Sequence, residues 1–313
     1  MEPARGWIYD VAAMAPSALK RVKRLLRFQV VRAAIWAIQR IPIRFAQRIG
    51  RAFGSLAFRV AGGERRKMLT SLGKAFPERT EAERQALALA CLRHFGAMAF
   101  EMICVEQLAP HLEEWVEWPQ ADQDALHAAL AEGKGVVFVT GHLGNWELLG
   151  WRMAQGIPFY AVGKAPPDER LAELVAKLRA DGKIQSIWRG DPTAARKLLG
   201  ALKQNAVLCL LIDQDTSVQN LFVPFFGQPA ATPRSAADLA LRSGAPAMVG
   251  TILKQPSGRY LLRTYRLPLP ASGDREADAL ALTAAFTHEL EQAIRQAPEQ
   301  WVWMHQRWKT RPQ

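Results

Sequence analysis

At 313 residues, 49% hydrophobic and 22% charged, the chain has enough apolar surface for a sizeable core, which excludes a disordered protein. Its three cysteines, Cys91, Cys104 and Cys209, are odd in number, lack a C-x-x-C spacing and sit among apolar neighbours, which excludes a disulfide framework and suits a reducing compartment. The net charge of +12 is local: Lys20 to Lys67 hold 14 basic residues against one acid, Glu64, while the rest of the chain is near neutral. Such an arm meets an anionic surface, either a membrane leaflet or nucleic acid.

Residues 1 to about 18 carry little pattern. From Leu19 the arm is amphipathic, with Leu19, Val22, Leu25 and Leu26 at helical spacing beside Lys20, Lys23, Arg24 and Arg27. Around Pro42, Ile41, Phe45, Ile49, Phe53 and Leu56 form one row, and Arg40, Arg44, Arg48 and Arg51 another. The longest uncharged run here, Ala33 to Gln39, is far short of the roughly 20 apolar residues a span needs. No secretory cleavage pattern follows. Interleaved apolar and basic residues describe helices lying in the headgroup region; the bland alternative is a basic helix packed on the domain. Nucleic acid is disfavoured because phosphate binding does not need the bulky apolar row. The boundary between this arm and the main domain is expected at residue 67, giving regions 1–67 and 68–313.

Thr80, with Glu83 at capping-box spacing, opens a long helix to about Gln107, and a short helix from Asp122 to Glu132 follows. Val136 to Thr140 reads as a buried strand ending in Gly141-His142; the chain turns at Leu143-Gly144 and enters a helix at Asn145-Trp146-Glu147. Beyond it strands and helices alternate. Strands are predicted at 157–162, 184–188 and 206–212, with helices at 167–181 and 191–204 between them. The 206–212 run is continuously apolar, as in a parallel strand covered on both faces. It ends in Asp213-Gln214-Asp215. Phe222 to Gly227 reads as a loop, 233–243 as a helix, 247–253 and 260–267 as a pair of strands, and 276–296 as a helix. The fold class is α/β, a mostly parallel sheet flanked by helices. Ligands in such folds sit beyond the carboxyl ends of strands, where His142 and Asp213 both fall.

An imidazole at a strand end with a carboxylate in the next helix turn is one half of a general-base pair. Glu147 can turn back across the Leu143-Gly144 break, hold one ring nitrogen protonated and leave the other to deprotonate a hydroxyl. The alternative is a histidine capping a strand and a glutamate at a helix N-terminus. No G-x-S-x-G elbow, Walker loop or G-x-G-x-x-G is present, and the histidines and acids lack metal-ligand spacing, so a metal is not expected.

The segment Gly141-His142-Leu143-Gly144-Asn145-Trp146-Glu147 resembles the H-x-x-x-x-[DE] motif of the lysophospholipid acyltransferase superfamily, in the form found in bacterial lipid A biosynthesis acyltransferases. Ala75-Phe76-Pro77-Glu78, Leu211 to Asp215, Val223 to Gly227, Ala231-Thr232-Pro233 and Trp301 to Lys309 resemble further blocks of that family in the same order. The resemblance implies an O-acyltransferase at the cytoplasmic face of the inner membrane, monotopic or held by one N-terminal anchor. It implies transfer from an acyl thioester co-substrate, on acyl carrier protein or coenzyme A, to a hydroxyl of a lipid A precursor, with no other cofactor. His142 would be the base, Glu147 its charge partner and Arg179 the stabiliser of the thioester oxyanion. Asn145, Lys164, Asp213 and Asp215 would bind substrate. Anionic inner-membrane lipid is an expected partner and nucleic acid is not. Two departures stand out: Ser71 where the family often has asparagine, and Lys164 where it has arginine. The alternatives are acylation of another membrane glycolipid or phospholipid, and a non-catalytic lipid-binding protein that keeps the fold.

Overall fold

The computed structural model describes residue 29 and residues 32–312. The chain divides at Pro42 into two units. In the first, residues 32–38 are helical; the expected amphipathic helix around Leu19 to Arg27 lies outside the described residues. The second unit, Ile43–Gln313, begins well upstream of the boundary expected at residue 67. Its first helix belongs to it because glycines allow the helix to sink against its neighbour, as described below.

Helix α1 (Ile43–Val60) and α2 (Gly62–Ala75) lead to α3 (Glu81–Ile103). The capping box forms as predicted: the Thr80 side chain accepts from the Glu83 backbone N–H, and the Glu83 carboxylate accepts from Thr80 N–H at 2.7 Å. Where α1 crosses α3, a Cβ on Gly50 would run into the Gly96 carbonyl, and one on Gly96 into the Gly50 carbonyl. Only hydrogen at both positions permits that approach. By length and composition α3 could cross a membrane, but 39% of its apolar window is buried within the fold.

The short strand β1 (Val116–Glu117), absent from the sequence reading, precedes α4 (Gln120–Leu130). Then come β2 (Val136–Thr140), α5 (Trp146–Met153), β3 (Phe159–Lys164), α6 (Glu169–Asp181), β4 (Ile184–Arg189), α7 (Ala194–Lys203) and β5 (Val207–Leu211). The segment expected to be a loop is a hairpin, β6 (Asn220–Phe225) and β7 (Gln228–Pro233), followed by α8 (Ser235–Ser243), β8 (Ala247–Lys254), β9 (Tyr260–Leu267) and α9 (Arg275–Gln296).

Seven strands form one sheet in the order β1-β9-β8-β2-β5-β3-β4. All neighbours are parallel except the β8–β9 hairpin, so the expected mostly parallel α/β sheet is what forms. Strand β2 alternates between two cores. Val136 and Phe138 pack with α5 and the helical segment before it, and Val137 and Val139 with α7, α8 and α9. A third cluster gathers Phe76, Cys91, Phe225, Trp301, Trp303 and Trp308. The three cysteines are buried and outside any disulfide, as their neighbours suggested.

Candidate active site

Strands β2 and β5 are hydrogen-bonded neighbours in register, Thr140 opposite Leu211. Their carboxyl ends therefore deliver His142 and Asp213 to one place although 71 residues separate them. Imidazole Nδ1 lies 2.8 Å from Asp213 Oδ1, and the His142 backbone N–H donates to Oδ2 at 2.7 Å. The Trp301 indole N–H donates to Oδ2 as well, at 2.8 Å. Burial alone would raise the Asp213 carboxyl, but the nearby imidazole and the donors from His142 and Trp301 hold it below its ordinary value. Asp213 is thus an ionised acceptor, so Nδ1 carries the proton and Nε2 keeps its lone pair. One quarter of the His142 side chain stays exposed against 1% of Asp213, which leaves the imidazole open to a cleft.

The expected His142–Glu147 pair does not form. Glu147 is committed to Arg179: Nε donates to Oε2 at 3.0 Å and Nη2 to Oε1 at 2.7 Å, a two-point fork. Helix α6 brings the guanidinium down over β3 and takes the carboxylate first. Burial would lower the Arg179 pKa, but Glu147's hydrogen bonds and charge reverse this and raise it. Arg179 Nη1 is buried without a hydrogen-bond partner among the described residues. His142, Glu147 and Arg179 all line one cleft of about 700 Å³.

Asn145 is not in that cleft, and its expected substrate contact is replaced by a structural role. It is fully buried, its side-chain oxygen accepts from Leu148 N–H to cap α5, and its amide donates to Glu101 at 3.2 Å. Asp213 likewise serves His142 rather than touching the cleft. Asp215 faces away and holds the C-terminal segment through the Thr310 N–H and hydroxyl at 2.7 and 3.0 Å. Lys164 does line the cleft, beside Arg189, its register partner at the end of β4. Val162, Val175, Leu198, Leu210 and Leu239 make part of the cleft wall apolar.

Two supporting residues were given no such role by the sequence reading, Glu101 unnamed and Trp301 read only as part of a family block. Glu101, buried in α3, accepts from Gln47, Asn145 and Tyr260 and pairs with Lys254. A carboxylate three residues after Met98, on an apolar face, was the available signal. Trp301 lies on a strand bridge to Leu143, and Gly144 N–H donates to the Gln300 carbonyl at 2.9 Å. The C-terminal tryptophan block thereby clamps the turn that aims His142. His94 on α3 packs against the same turn: its Nε2 meets the Gly144 carbonyl at 3.1 Å, and burial lowers its pKa.

Known proteins resemble this chain over most of its length. The family model for bacterial lipid A biosynthesis acyltransferases matches residues 17–310. The lipid A biosynthesis lauroyltransferase of Escherichia coli K12 is 26% identical over 286 residues, 89% of this chain and 90% of that protein. The lipid A biosynthesis palmitoleoyltransferase of the same organism is 26% identical over 89% of each chain. A phosphatidylinositol mannoside acyltransferase of Mycobacterium tuberculosis H37Rv is 28% identical over 59% of this chain and 58% of its own. A match spanning nearly the whole described body, its motif built into a histidine–carboxylate cleft, places this chain in the bacterial lipid A biosynthesis acyltransferase family, as an acyltransferase.

Proposed function

We propose that this acyltransferase moves a fatty acyl chain from a thioester, on acyl carrier protein or coenzyme A, to a hydroxyl of a lipid A precursor. The observation that carries the reading is the His142 Nδ1–Asp213 contact, with the other ring nitrogen free beside an apolar-walled cleft. Nε2 takes the proton of the acceptor hydroxyl as its oxygen attacks the thioester carbonyl. The tetrahedral oxyanion is met by Arg179, whose unpartnered Nη1 is the available donor and whose charge Glu147 holds in place. Collapse breaks the C–S bond, completes the ester and returns the proton from the imidazolium to the departing thiolate. Lys164 and Arg189 supply positive charge for an anionic headgroup or carrier.

The site is held at a membrane by α1. Phe45, Ile49, Phe53, Leu56 and Val60 form an outward stripe, each between 37% and 72% exposed, on a helix whose glycine face is locked onto α3. The cytoplasmic face of the inner membrane is the surface proposed for this contact. The mycobacterial relatives support a second acceptor, another membrane glycolipid.

The decisive assay uses purified full chain, a labelled acyl thioester and acceptor. His142→Ala should abolish transfer while vesicle binding persists; transfer at the wild-type rate would reject the base assignment. Mass spectrometry of lipid A from cells lacking the protein names chain and acceptor together. An unchanged acylation pattern would reject the lipid A acceptor.

A further inference from the structure

A second cavity, of about 470 Å³, is lined by Arg44, Arg48 and Arg51 from α1 and Arg259 from the β8–β9 turn, with Trp115 on its wall. The three α1 arginines recur at helical spacing, all exposed, and none forms an ion pair with a described residue. The carboxylate in the lining, Glu114, faces His111 at 3.2 Å instead. Arg259 Nε donates to the Glu114 carbonyl at 2.6 Å, which pins its guanidinium to the wall. Four cations thus line one concavity, a setting that favours an anion between them.

The neighbouring face of the same helix is the exposed apolar stripe Phe45, Ile49, Phe53, Leu56 and Val60. At 100° per residue it lies about 120° around α1 from the arginines. Guanidinium groups match phosphate oxygens two at a time, and a phosphate held there would carry its acyl chains toward the stripe. We infer that the cavity lined by Arg44, Arg48, Arg51 and Arg259 is a binding site for the phosphate headgroup of an anionic phospholipid in the leaflet on which the enzyme sits. The inference rests on the membrane reading of α1, and adds to it a discrete site where diffuse charge attraction would otherwise suffice.

The test is co-sedimentation of the full chain with vesicles of phosphatidylcholine, alone or doped with phosphatidylglycerol. The pocket variant carries Arg44→Gln, Arg48→Gln and Arg259→Gln. A charge-matched control carries Arg66→Gln, Arg196→Gln and Arg242→Gln, exposed arginines elsewhere. The pocket variant should weaken binding to doped vesicles by about tenfold or more, and the control by less than about threefold. Water-soluble dihexanoyl phosphatidylglycerol should titrate the wild type saturably and fail to titrate the pocket variant. Equal weakening by the two triple variants would overturn the site while leaving the membrane reading standing. Displacement of the short-chain lipid by equimolar inorganic phosphate would make the cavity a simple anion site and overturn the lipid assignment. A raised acceptor KM in detergent, with vesicle binding intact, would make it an acceptor subsite and overturn the leaflet assignment. Failure of the wild type to bind either vesicle would remove the membrane reading itself.

Discussion

The chemistry turns on which carboxylate touches His142. Asp213 receives the imidazole Nδ1–H, a backbone N–H and an indole N–H, so it fixes tautomer and ring direction together. Asp213→Asn should lower kcat by about 10²- to 10⁴-fold with little change in KM, because the amide no longer holds the ring in the proton-accepting form. The same carboxylate gives a pH signature. Its folded pKa is depressed, so its contribution to stability is present above the ordinary carboxylate range and lost as pH falls through the folded value. Thermal unfolding of wild type and Asp213→Asn should therefore differ most near neutrality and converge in acid; a constant gap across pH would contradict the ionised assignment. Glu147 was read from sequence as the partner of His142, and its real partner makes a different prediction. If it acts through Arg179, then Arg179→Ala and the double variant with Glu147→Gln should lose activity equally. If it acts on His142 directly, the two losses should multiply. Steady-state rates of the four proteins in this cycle decide between them.

Among the elements, the crossing of α1 and α3 carries the exposed apolar stripe and the buried Glu101 that braces the turn after His142. Gly96 is tolerated there only as glycine, whereas Gly73 in α2 has nothing within 4 Å of where a Cβ would stand. Gly96→Ala should destabilise by about 1–3 kcal/mol through forced backbone movement, while Gly73→Ala should stabilise by about 0.5–1 kcal/mol through helix propensity. Urea unfolding midpoints of the two variants should move in opposite directions. These contrasts also mark what a single sequence makes legible. The Thr80 cap, strand β2, the two-faced β5 and the position of His142 are local patterns, and each is found where its pattern puts it. The β2–β5 adjacency is not local: nothing in the order of elements says that Asp213 arrives beside His142 before Glu147 does. Asn145 followed the same logic, a polar residue in a functional motif whose work is to cap α5. The β6–β7 hairpin was obscured by Pro224 facing Pro229 and by a turn in which Phe226, at φ 51°, adopts a left-handed conformation unusual for an aromatic residue.

For the whole molecule, the arrangement is a sheet whose carboxyl edge holds the reaction and whose first helix presents an apolar face outward. The proposed acceptor is amphipathic and a fatty acyl chain is apolar, so a charged edge next to an apolar wall would let headgroups stay polar while the chain is buried. Chain length then depends on how far the cleft runs between α6, α7 and α8. Leu239, on α8, lines that cleft together with Leu198 on α7 and Val175 on α6. Each methylene that finds apolar room is worth about 0.8 kcal/mol. Leu239→Phe should remove room for about one methylene and so shift relative kcat/KM toward the shorter of two donors by about fourfold. Competition between thioesters of different length, with products resolved by mass, measures this ratio directly. His142 and Asp213 stay in place in this variant, so turnover with the shorter donor should remain near wild type. A uniform loss with every donor would instead mean that α8 supports the site without measuring the chain, and the acyl pocket would then lie along another wall of the cleft.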